Sequence, residues 1–509
     1  MPNGSKKPRR NSVGRAIFVA LSLLLQVGWL LLLIIELNTY STYISLFTSI
    51  LTSLVVLRLY SKHTNSAYKM PWIMLMMALP VMGLSLYLLT EVALTPKSIG
   101  KRLKVIQDES QTYLQQKSEV LEALEREDRA AANQCRYLCS YTASPVYRNT
   151  KVDYFGHAGK ALEPMLKDLE QAKDFIFMEY FIVEDKESFS RLRQVLARKA
   201  AEGVDVRLMY DDIGSLGYVD WDFARELNRD GIRCLVFNPA LPFLNLFMNN
   251  RDHRKITVID GKIGYTGGYN LADAYFGLEF PYGAWKDTGI RLEGEAVKSL
   301  TATFLELWSV TSREPVRAET YLTISHSVEA EGYVQPYADS PLDHEETAEN
   351  VYLNLISGAQ RYVWFMTPYL IITDELSRAL ELAAKRGVDV RILTPGIPDK
   401  KTVYAVTRSY YARLVSQGVR IFEYAPGFCH GKQCLVDGEM ASIGTSNLDY
   451  RSLYLHFENN VLLYGCDALK DMERDFEETF AQCREVTASY RSAPLRIWQC
   501  ILRLFAPMM

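Results

Sequence analysis

The chain has 509 residues, 48% hydrophobic and 23% charged, proportions that exclude global disorder, collagen-like repeats and low-complexity architecture. At about 150 residues per domain the length predicts roughly three units, each able to bury a core. Its 57 Lys and Arg against 60 Asp and Glu leave a net charge of −3, which excludes the broad positive field of a dedicated nucleic-acid binder but not a local basic pocket. The eight cysteines form no Cys-x-x-Cys pair, so a reducing compartment and no zinc site are expected. Cys135 and Cys139, on one helix face, read as packing residues.

Ala16 to Ile35 is a run of twenty residues whose only polar side chains are Ser22 and Gln26. At about 1.5 Å per residue it reaches about 30 Å, a bilayer core, and reads as a transmembrane helix. It ends Ile34-Ile35-Glu36-Leu37 rather than in small residues, which favours an anchor over a cleaved signal peptide. Pro71 to Leu89 is a second expected span, with Trp72 and Tyr87 at interfacial positions and a kink at Pro80. Between them, Tyr40 to Leu59 carries seven Ser or Thr residues and Arg58, and reads as a third span or an interfacial helix. Two or three spans predict a multi-pass protein of the cell membrane. Lys6, Lys7, Arg9, Arg10 and Arg15 place the amino terminus in the cytoplasm; the side reached by the rest depends on whether the middle segment spans.

After a charged stretch from Lys97 to about Arg129, helical in composition, the sequence repeats itself. Ala172-Lys-Asp-Phe-Ile-Phe-Met-Glu-Tyr-Phe, a helical stretch and Gly203-Val-Asp-Val-Arg recur as Ala359-Gln-Arg-Tyr-Val-Trp-Phe-Met-Thr-Pro, a helical stretch and Gly387-Val-Asp-Val-Arg. The β-α-β order of each copy predicts an α/β fold of mixed or parallel sheets covered by helices. The expected organisation is a membrane segment over residues 1–95, a helical connector over 96–145, repeated units over 146–328 and 329–485, and an amphipathic tail over 486–509. In that tail Arg496 and Arg503 stand among Leu495, Ile497, Trp498, Ile501, Leu502 and Phe505.

Each copy carries one His-x-Lys-x4-Asp element followed by Gly-x-x-Asn. The first is His253, Lys255 and Asp260, then Gly267-Gly268-Tyr269-Asn270; the second is His430, Lys432 and Asp437, then Gly444-Thr445-Ser446-Asn447. Seven histidines, with Lys and Asp each at about 6% of residues, give about 0.025 chance matches, so two in equivalent places are not chance. His and Lys at i and i+2 of a strand share a face, so one strand can set an imidazole and an ammonium beside a phosphate. Gly at the next turn permits close backbone approach and the Asn amide is a neutral donor. Should the copies pack about a pseudo-twofold axis, two His, two Lys and two Asn converge on one anion pocket.

The doubled element resembles the signature of the phospholipase D superfamily, and its surroundings resemble the bacterial cardiolipin synthases over nearly the whole chain. The strings that carry the narrower resemblance are Asn249-Asn-Arg-Asp-His-Arg-Lys-Ile, Tyr210-Asp-Asp-Ile-Gly, Arg408-Ser-Tyr-Tyr, Asp449-Tyr-Arg-Ser-Leu-Tyr-Leu-His-Phe-Glu and Asn65-Ser-Ala-Tyr-Lys-Met-Pro-Trp. The sequence departs from the pattern at Gly431, Ala274 and Gly289, none of them a proposed catalytic group. The resemblance implies two tandem phospholipase D-like units packed as a pseudo-twofold pair behind the membrane segment. It also implies transfer of a phosphatidyl group between two phosphatidylglycerols, giving cardiolipin and glycerol, with no cofactor or metal and with membrane lipid as the partner. The catalytic set it implies is His253, Lys255, Asp260, His430, Lys432 and Asp437, with Asn270, Asn447, Gly268 and Thr445 binding substrate.

Within that scheme one imidazole, provisionally His253, attacks phosphorus and the other serves as acid and then base; the roles can be exchanged. A nucleophilic imidazole needs its second nitrogen held by an acceptor, and an acid on the next strand of each copy is expected to supply it, Asp287 and Glu458 being the candidates. Asp260 and Asp437 are expected to fix local geometry or balance charge rather than touch substrate. The apolar stretch Phe237-Asn-Pro-Ala-Leu-Pro-Phe-Leu-Asn-Leu-Phe-Met is read as a lipid-facing lip. The alternatives are a phospholipase D hydrolase or transphosphatidylase using another headgroup, a nuclease, and a non-catalytic membrane scaffold. The membrane spans and the absence of a basic stripe disfavour the nuclease, and two intact motifs disfavour the scaffold. Oligomeric state is left open.

Overall fold

The computed structural model describes residues 42–62, 65–92, 97–239, 249–314, 317–343 and 345–487, with isolated positions between 17 and 35 and between 499 and 506. The span expected at Ala16 to Ile35 and most of the expected lip, 240–248, lie outside these residues, as does most of the tail. The described tail positions Leu502 and Ala506 are buried in the core of the second unit, and Arg503 lies over the Tyr410 ring, 4.1 Å from its centroid.

The first unit is a seven-stranded sheet built from β1 (Thr150–Phe155), β2 (Phe175–Tyr180), β3 (Asp205–Asp211), β4 (Arg233–Phe237), β5 (Lys255–Ile259), β6 (Ile263–Gly267) and β8 (Gly289–Gly294), β7 (Ala284–Lys286) standing apart; their order is β1-β8-β6-β5-β2-β3-β4. The second unit contains β9 (Tyr333–Asp339), β10 (Tyr362–Met366), β11 (Leu370–Ile371), β12 (Asp389–Pro395), β13 (Arg420–Tyr424), β14 (Gly427–Cys429), β15 (Gln433–Val436), β16 (Met440–Gly444), β17 (Leu448–Asp449), β18 (Glu458–Tyr464) and β19 (Cys483–Glu485). Its main sheet runs β9-β18-β16-β15-β10-β12-β13-β19, the same order with one strand added at the edge. In both, an antiparallel meander meets a parallel βαβ crossover at the strand β2 or β10. Both sheets are thus mixed, with helices against them, as the repeated β-α-β pattern predicts. β2 and β10 are buried along their whole length, which is why they read as continuous apolar runs rather than alternating ones.

The two units share one core. Phe175, Phe177, Val258 and Leu292 of the first sheet and Trp364, Leu435, Ile443 and Leu463 of the second belong to one buried cluster with Phe304 and Trp308 of the helix Val297–Ser312 and Phe476 and Phe480 of the helix Ala468–Phe480. The connector wraps both units: Lys97–Gln111 packs on Val297–Ser312, and Arg129–Thr142 packs on the second unit, where Cys135 is buried.

The second expected span is corrected by the structure. Pro71 to Leu89 is not one kinked helix but a hairpin of two helices, Ser66–Ala78 and Pro80–Val92, turning at Leu79. Trp72 and Tyr87, about 22 Å apart on a straight helix, have ring centroids 5.6 Å apart. Pro80 begins the second helix, where its missing N–H costs nothing, and a Cβ on Gly83 would stand 2.6 Å from the Cα of Met76, so only glycine lets the two backbones close. Each arm has 13 residues, about 20 Å, short of a bilayer. Among the described residues no helix is long and apolar enough to cross a membrane. At the hairpin base Asn65 Nδ2 donates to Tyr454 Oη (3.0 Å) and Tyr68 Oη to the carbonyl of Tyr450 (3.0 Å), tying it to the second unit.

Candidate active site

The two motif histidines occupy equivalent places, just ahead of β5 and β15, and each is fastened to the other unit. The His253 N–H donates to the Phe457 carbonyl (2.9 Å) and the His430 N–H to the Lys286 carbonyl (2.6 Å). Around these bonds, Asp252 bridges to Phe457 and β14 pairs in parallel with β7. Each imidazole is therefore set beside the residue that follows its partner segment, and that residue is an acid. His253 Nδ1 lies 2.9 Å from both oxygens of Glu458, and His430 Nδ1 lies 2.6 Å from Asp287 Oδ2.

The acids named from the sequence thus sit on the imidazoles, but the pairing is crossed: the expected partner within the same copy is replaced by one from the opposite copy. With Nδ1 donating to a carboxylate, Nε2 keeps its lone pair. Thr445 Oγ1 and Ser452 Oγ also donate to Glu458. At the equivalent place the first unit has Gly268, where a Cβ would stand 2.1 Å from Asp287 Oδ1, so glycine makes the room that this acid occupies.

Lys255 Nζ donates to the His253 carbonyl (2.6 Å) and Lys432 Nζ to that of His430. Lys432 Nζ also approaches both ring nitrogens of His430, at 2.8 and 2.9 Å. All four groups are buried. Burial, helped by Lys255, His456, Lys432 and His430, pushes His253 well below the usual imidazole range, and burial with Lys432 and Lys255 does the same for His430. Burial also brings Lys255 down to about 7 and Lys432 down to about 8, against the pull of Glu458 and Asp287, and lifts Asp287 to about 7. Since His253 feels Lys432 and His430 feels Lys255, the two motifs form one electrostatic unit.

The sequence profile described as "Cardiolipin synthase, PLD-like domain" matches residues 165–308 and 352–480, one stretch in each unit. The chain belongs to this cardiolipin synthase family. It is 35% identical to cardiolipin synthase 2 of Bacillus anthracis over 462 residues, 89% of each chain. It is 38% identical to a cardiolipin synthase of a Geobacillus species over 372 residues, 72% of this chain and 74% of the relative. A Streptococcus mutans protein described as uncharacterized is 40% identical over 458 residues, 89% of this chain and 99% of its own. The crystal structure of phosphatidylserine synthase from Haemophilus influenzae Rd KW20 superposes with a TM-score of 0.54 over 74% of this chain and 98% of that one, at 14% identity, a likeness of fold. As a member of the cardiolipin synthase family the protein is a phosphatidyltransferase acting on phospholipid.

In this cardiolipin synthase family member the two motif aspartates are not at the site. Asp260 and Asp437 lie at the far end of their strands, about 17 Å from the lysines at the usual strand rise. Asp260 accepts the N–H groups of Lys173, Asp174 and Phe175, and Asp437 those of Gln360, Arg361 and Tyr362. Both are the first residue of an Asp-Gly turn with positive φ, 51° and 54°, a conformation Asp tolerates. Counted within the motif set but expected to fix local geometry, both carboxylates hold backbone N–H groups at the start of β2 and β10 rather than reach the imidazoles. Asp260→Ala is expected to cost about 2–4 kcal/mol of stability through three lost hydrogen bonds, with activity per folded molecule close to wild type; denaturant melts paired with active-site titration check it.

The neutral donors are placed unevenly. Asn270 Oδ1 accepts from the Ile182 N–H and Nδ2 donates to Tyr275 Oη, so this amide is engaged within its own unit. Asn447 is buried and its Oδ1 has no hydrogen-bond partner. Thr445, expected to bind substrate, donates to Glu458 instead. Residues given no role from the sequence complete the surroundings: Phe181 stands edge-on to His253 at 5.0 Å, Tyr275 edge-on to His430 at 5.2 Å, and Asp211 holds Arg251 beside the first motif. His456 lies with its ring centroid 5.4 Å from that of His253. It stands in the string Asp449 to Glu458, where its i, i+2 relation to Glu458 puts both on one face. His253, His456 and Glu458 have ligand atoms within 4.8 Å of one another, and are the grouping among the described residues that could hold a cation.

The charge pattern predicts a bell-shaped dependence of kcat/KM on pH. Lys255 and Lys432 lose their charge as pH rises through about 7 to 8, so anchoring of the phosphoryl group weakens above that range. On the acid side Asp287 takes up a proton as pH falls through about 7, while the imidazoles stay neutral far lower. Lys255→Arg, whose charge persists above pH 12, is expected to extend the basic limb upward; a basic limb unmoved by this change would assign it to another group.

Proposed function

We propose that the protein is a cardiolipin synthase that moves a phosphatidyl group from one phosphatidylglycerol to the terminal hydroxyl of another, releasing glycerol. The single observation that carries this reading is the crossed imidazole–carboxylate pair, His253 with Glu458 and His430 with Asp287, which equips one place with two activated imidazoles. His253 attacks phosphorus through Nε2, forming a P–N bond as the P–O bond to glycerol breaks, and His430 gives its proton to the departing oxygen. The negative phosphoryl group raises the proton affinity of His430 on binding, which supplies that acid. The acceptor hydroxyl then yields its proton to His430 and attacks phosphorus, breaking the P–N bond and freeing His253. Lys432 Nζ at both ring nitrogens of His430 has no counterpart at His253, which favours His253 as the nucleophile. Each lysine has three donors, so Lys255 can keep its carbonyl and still hold phosphoryl oxygens, Lys432 does so by turning from the His430 ring, and Asn447 adds a neutral donor.

Membrane association fits the same reading. Phe47, Leu54 and Leu57 of the helix Thr42–Ser61 and Met70, Met74 and Met77 of the hairpin are each at least half exposed, an apolar surface suited to acyl chains. With the run Ala16 to Ile35 as an anchor, the hairpin would seat the catalytic units on the bilayer. Burial of both imidazoles limits access of water, present at about 55 M, to the intermediate. Incubating purified protein with labelled phosphatidylglycerol should yield cardiolipin and glycerol in equal amounts. Phosphatidic acid alone would support the hydrolase, and no turnover the scaffold.

A further inference from the structure

A cavity of about 290 Å³ opens between the hairpin and the second unit, bounded by Leu59, Lys69, Trp72 and Tyr87 on the membrane-facing side and ending at His456. Its wall carries Asp339, Glu345 and Glu346 beside Lys62 and Lys69, acceptors for the hydroxyls of a glycerol headgroup and cations for the phosphodiester that bears it. His456 is 9% exposed, and neither ring nitrogen has a hydrogen-bond partner. Glu458 Oε1 is 3.6 Å from Nδ1, beyond hydrogen-bond length and already engaged by His253 and Ser452. A buried imidazole without a partner costs free energy. This one lines the cavity and lies next to His253, the ring centroids 5.4 Å apart. Burial, reinforced by Arg451, Lys255 and Arg251, holds it well below its usual range, so it faces the cavity as a neutral ring with a lone pair to offer.

We propose that this cavity is the acceptor site, and that His456 binds the glycerol headgroup of the second phosphatidylglycerol by accepting a hydrogen bond from its secondary hydroxyl. That bond leaves the primary hydroxyl turned toward the phosphorus on His253, while its proton still passes to His430 and no new covalent step is needed. His456 is a positioning and specificity residue, set to prefer a vicinal diol over water or a simple alcohol. The cavity joins it to the hairpin, so the acceptor's acyl chains can remain among the exposed apolar residues while its headgroup reaches inward. The inference rests on the cardiolipin synthase reading and names the site that its second substrate requires.

The test reads the product partition, the ratio of cardiolipin to phosphatidic acid formed from labelled phosphatidylglycerol in vesicles of that lipid. This ratio does not depend on how much of a variant is folded. His456→Phe, which fills the space without an acceptor, is expected to lower it by about 10- to 100-fold, the worth of one buried hydrogen bond. His456→Asn and His456→Gln, which restore an acceptor near Nδ1 or Nε2, should recover it in at least one case. Adding 1-propanol should divert the Phe variant to phosphatidylpropanol in greater proportion than wild type. An unchanged ratio in His456→Phe would overturn the acceptor role while the wild-type enzyme still makes cardiolipin. A wild-type enzyme giving only phosphatidic acid would remove the synthase reading together with this one. Activity lost on chelation and restored by Zn²⁺ would assign His456 to a cation instead.

Discussion

His253→Ala is expected to lower phosphatidyl transfer by about 10³- to 10⁴-fold, and His430→Ala by a similar factor, with the double variant scarcely worse than either alone. Each imidazole has its own task on one phosphorus. Without His253 no P–N bond forms; without His430 the glycerol oxygen departs unprotonated and the acceptor keeps its proton. Removing either part of a single machine stops it, so the effects do not add. Two independent sites, one in each unit, would behave differently: each single variant would keep about half of the activity and only the double variant would be inert. Steady-state release of glycerol from labelled phosphatidylglycerol separates these patterns.

Glu458→Gln and Asp287→Asn are expected to cost about 10²- to 10⁴-fold each with little loss of fold, since an amide keeps the shape but can no longer hold the imidazole in the tautomer that leaves Nε2 free. The crossed pairing makes this specific. Glu458 belongs to the second unit yet serves His253 of the first, and Asp287 serves His430 of the second. With a phosphatidyl ester of p-nitrophenol, a leaving group that needs no proton, Asp287→Asn should recover the first step and Glu458→Gln should not. Partners chosen within each copy would give the reverse. The acids also hold donors of their own, Thr445 and Ser452 on Glu458 and the Thr288 N–H on Asp287, so neither substitution removes every bond at its place.

What the sequence made legible follows from spacing along one strand or helix. The i, i+2 relation of His253 to Lys255 and of His430 to Lys432 placed each pair together, and the recurrence of Gly-Val-Asp-Val-Arg after a helix marked both crossovers. The acids Asp287 and Glu458 were identifiable as candidates, but their crossed assignment depends on how β14 docks on β7 and how Phe457 docks on Asp252, contacts between segments more than 140 residues apart. That Asp260 and Asp437 keep off the substrate follows from strand rise alone, because five residues of extended chain carry a side chain well beyond contact with a shared phosphate. The apolar run from Pro71 to Leu89 had the length of a span, and the fold turned it back at Leu79 because Pro80 starts a helix afresh and Gly83 lets the arms touch. The setting of His456 depends on the cavity it lines, which no local pattern encodes.

The measurement that bears most directly on a phosphorus shared between the two units is the pre-steady-state burst of p-nitrophenol from its phosphatidyl ester. Wild type should release one equivalent per chain in the burst. His430→Ala should release the same equivalent and then stall with the phosphatidyl group on His253, recoverable in the peptide spanning 249–262 after an alkaline quench, and His253→Ala should show no burst. A label recovered on His430 in the wild type would exchange the two roles, whereas bursts in both single variants would contradict the shared phosphorus.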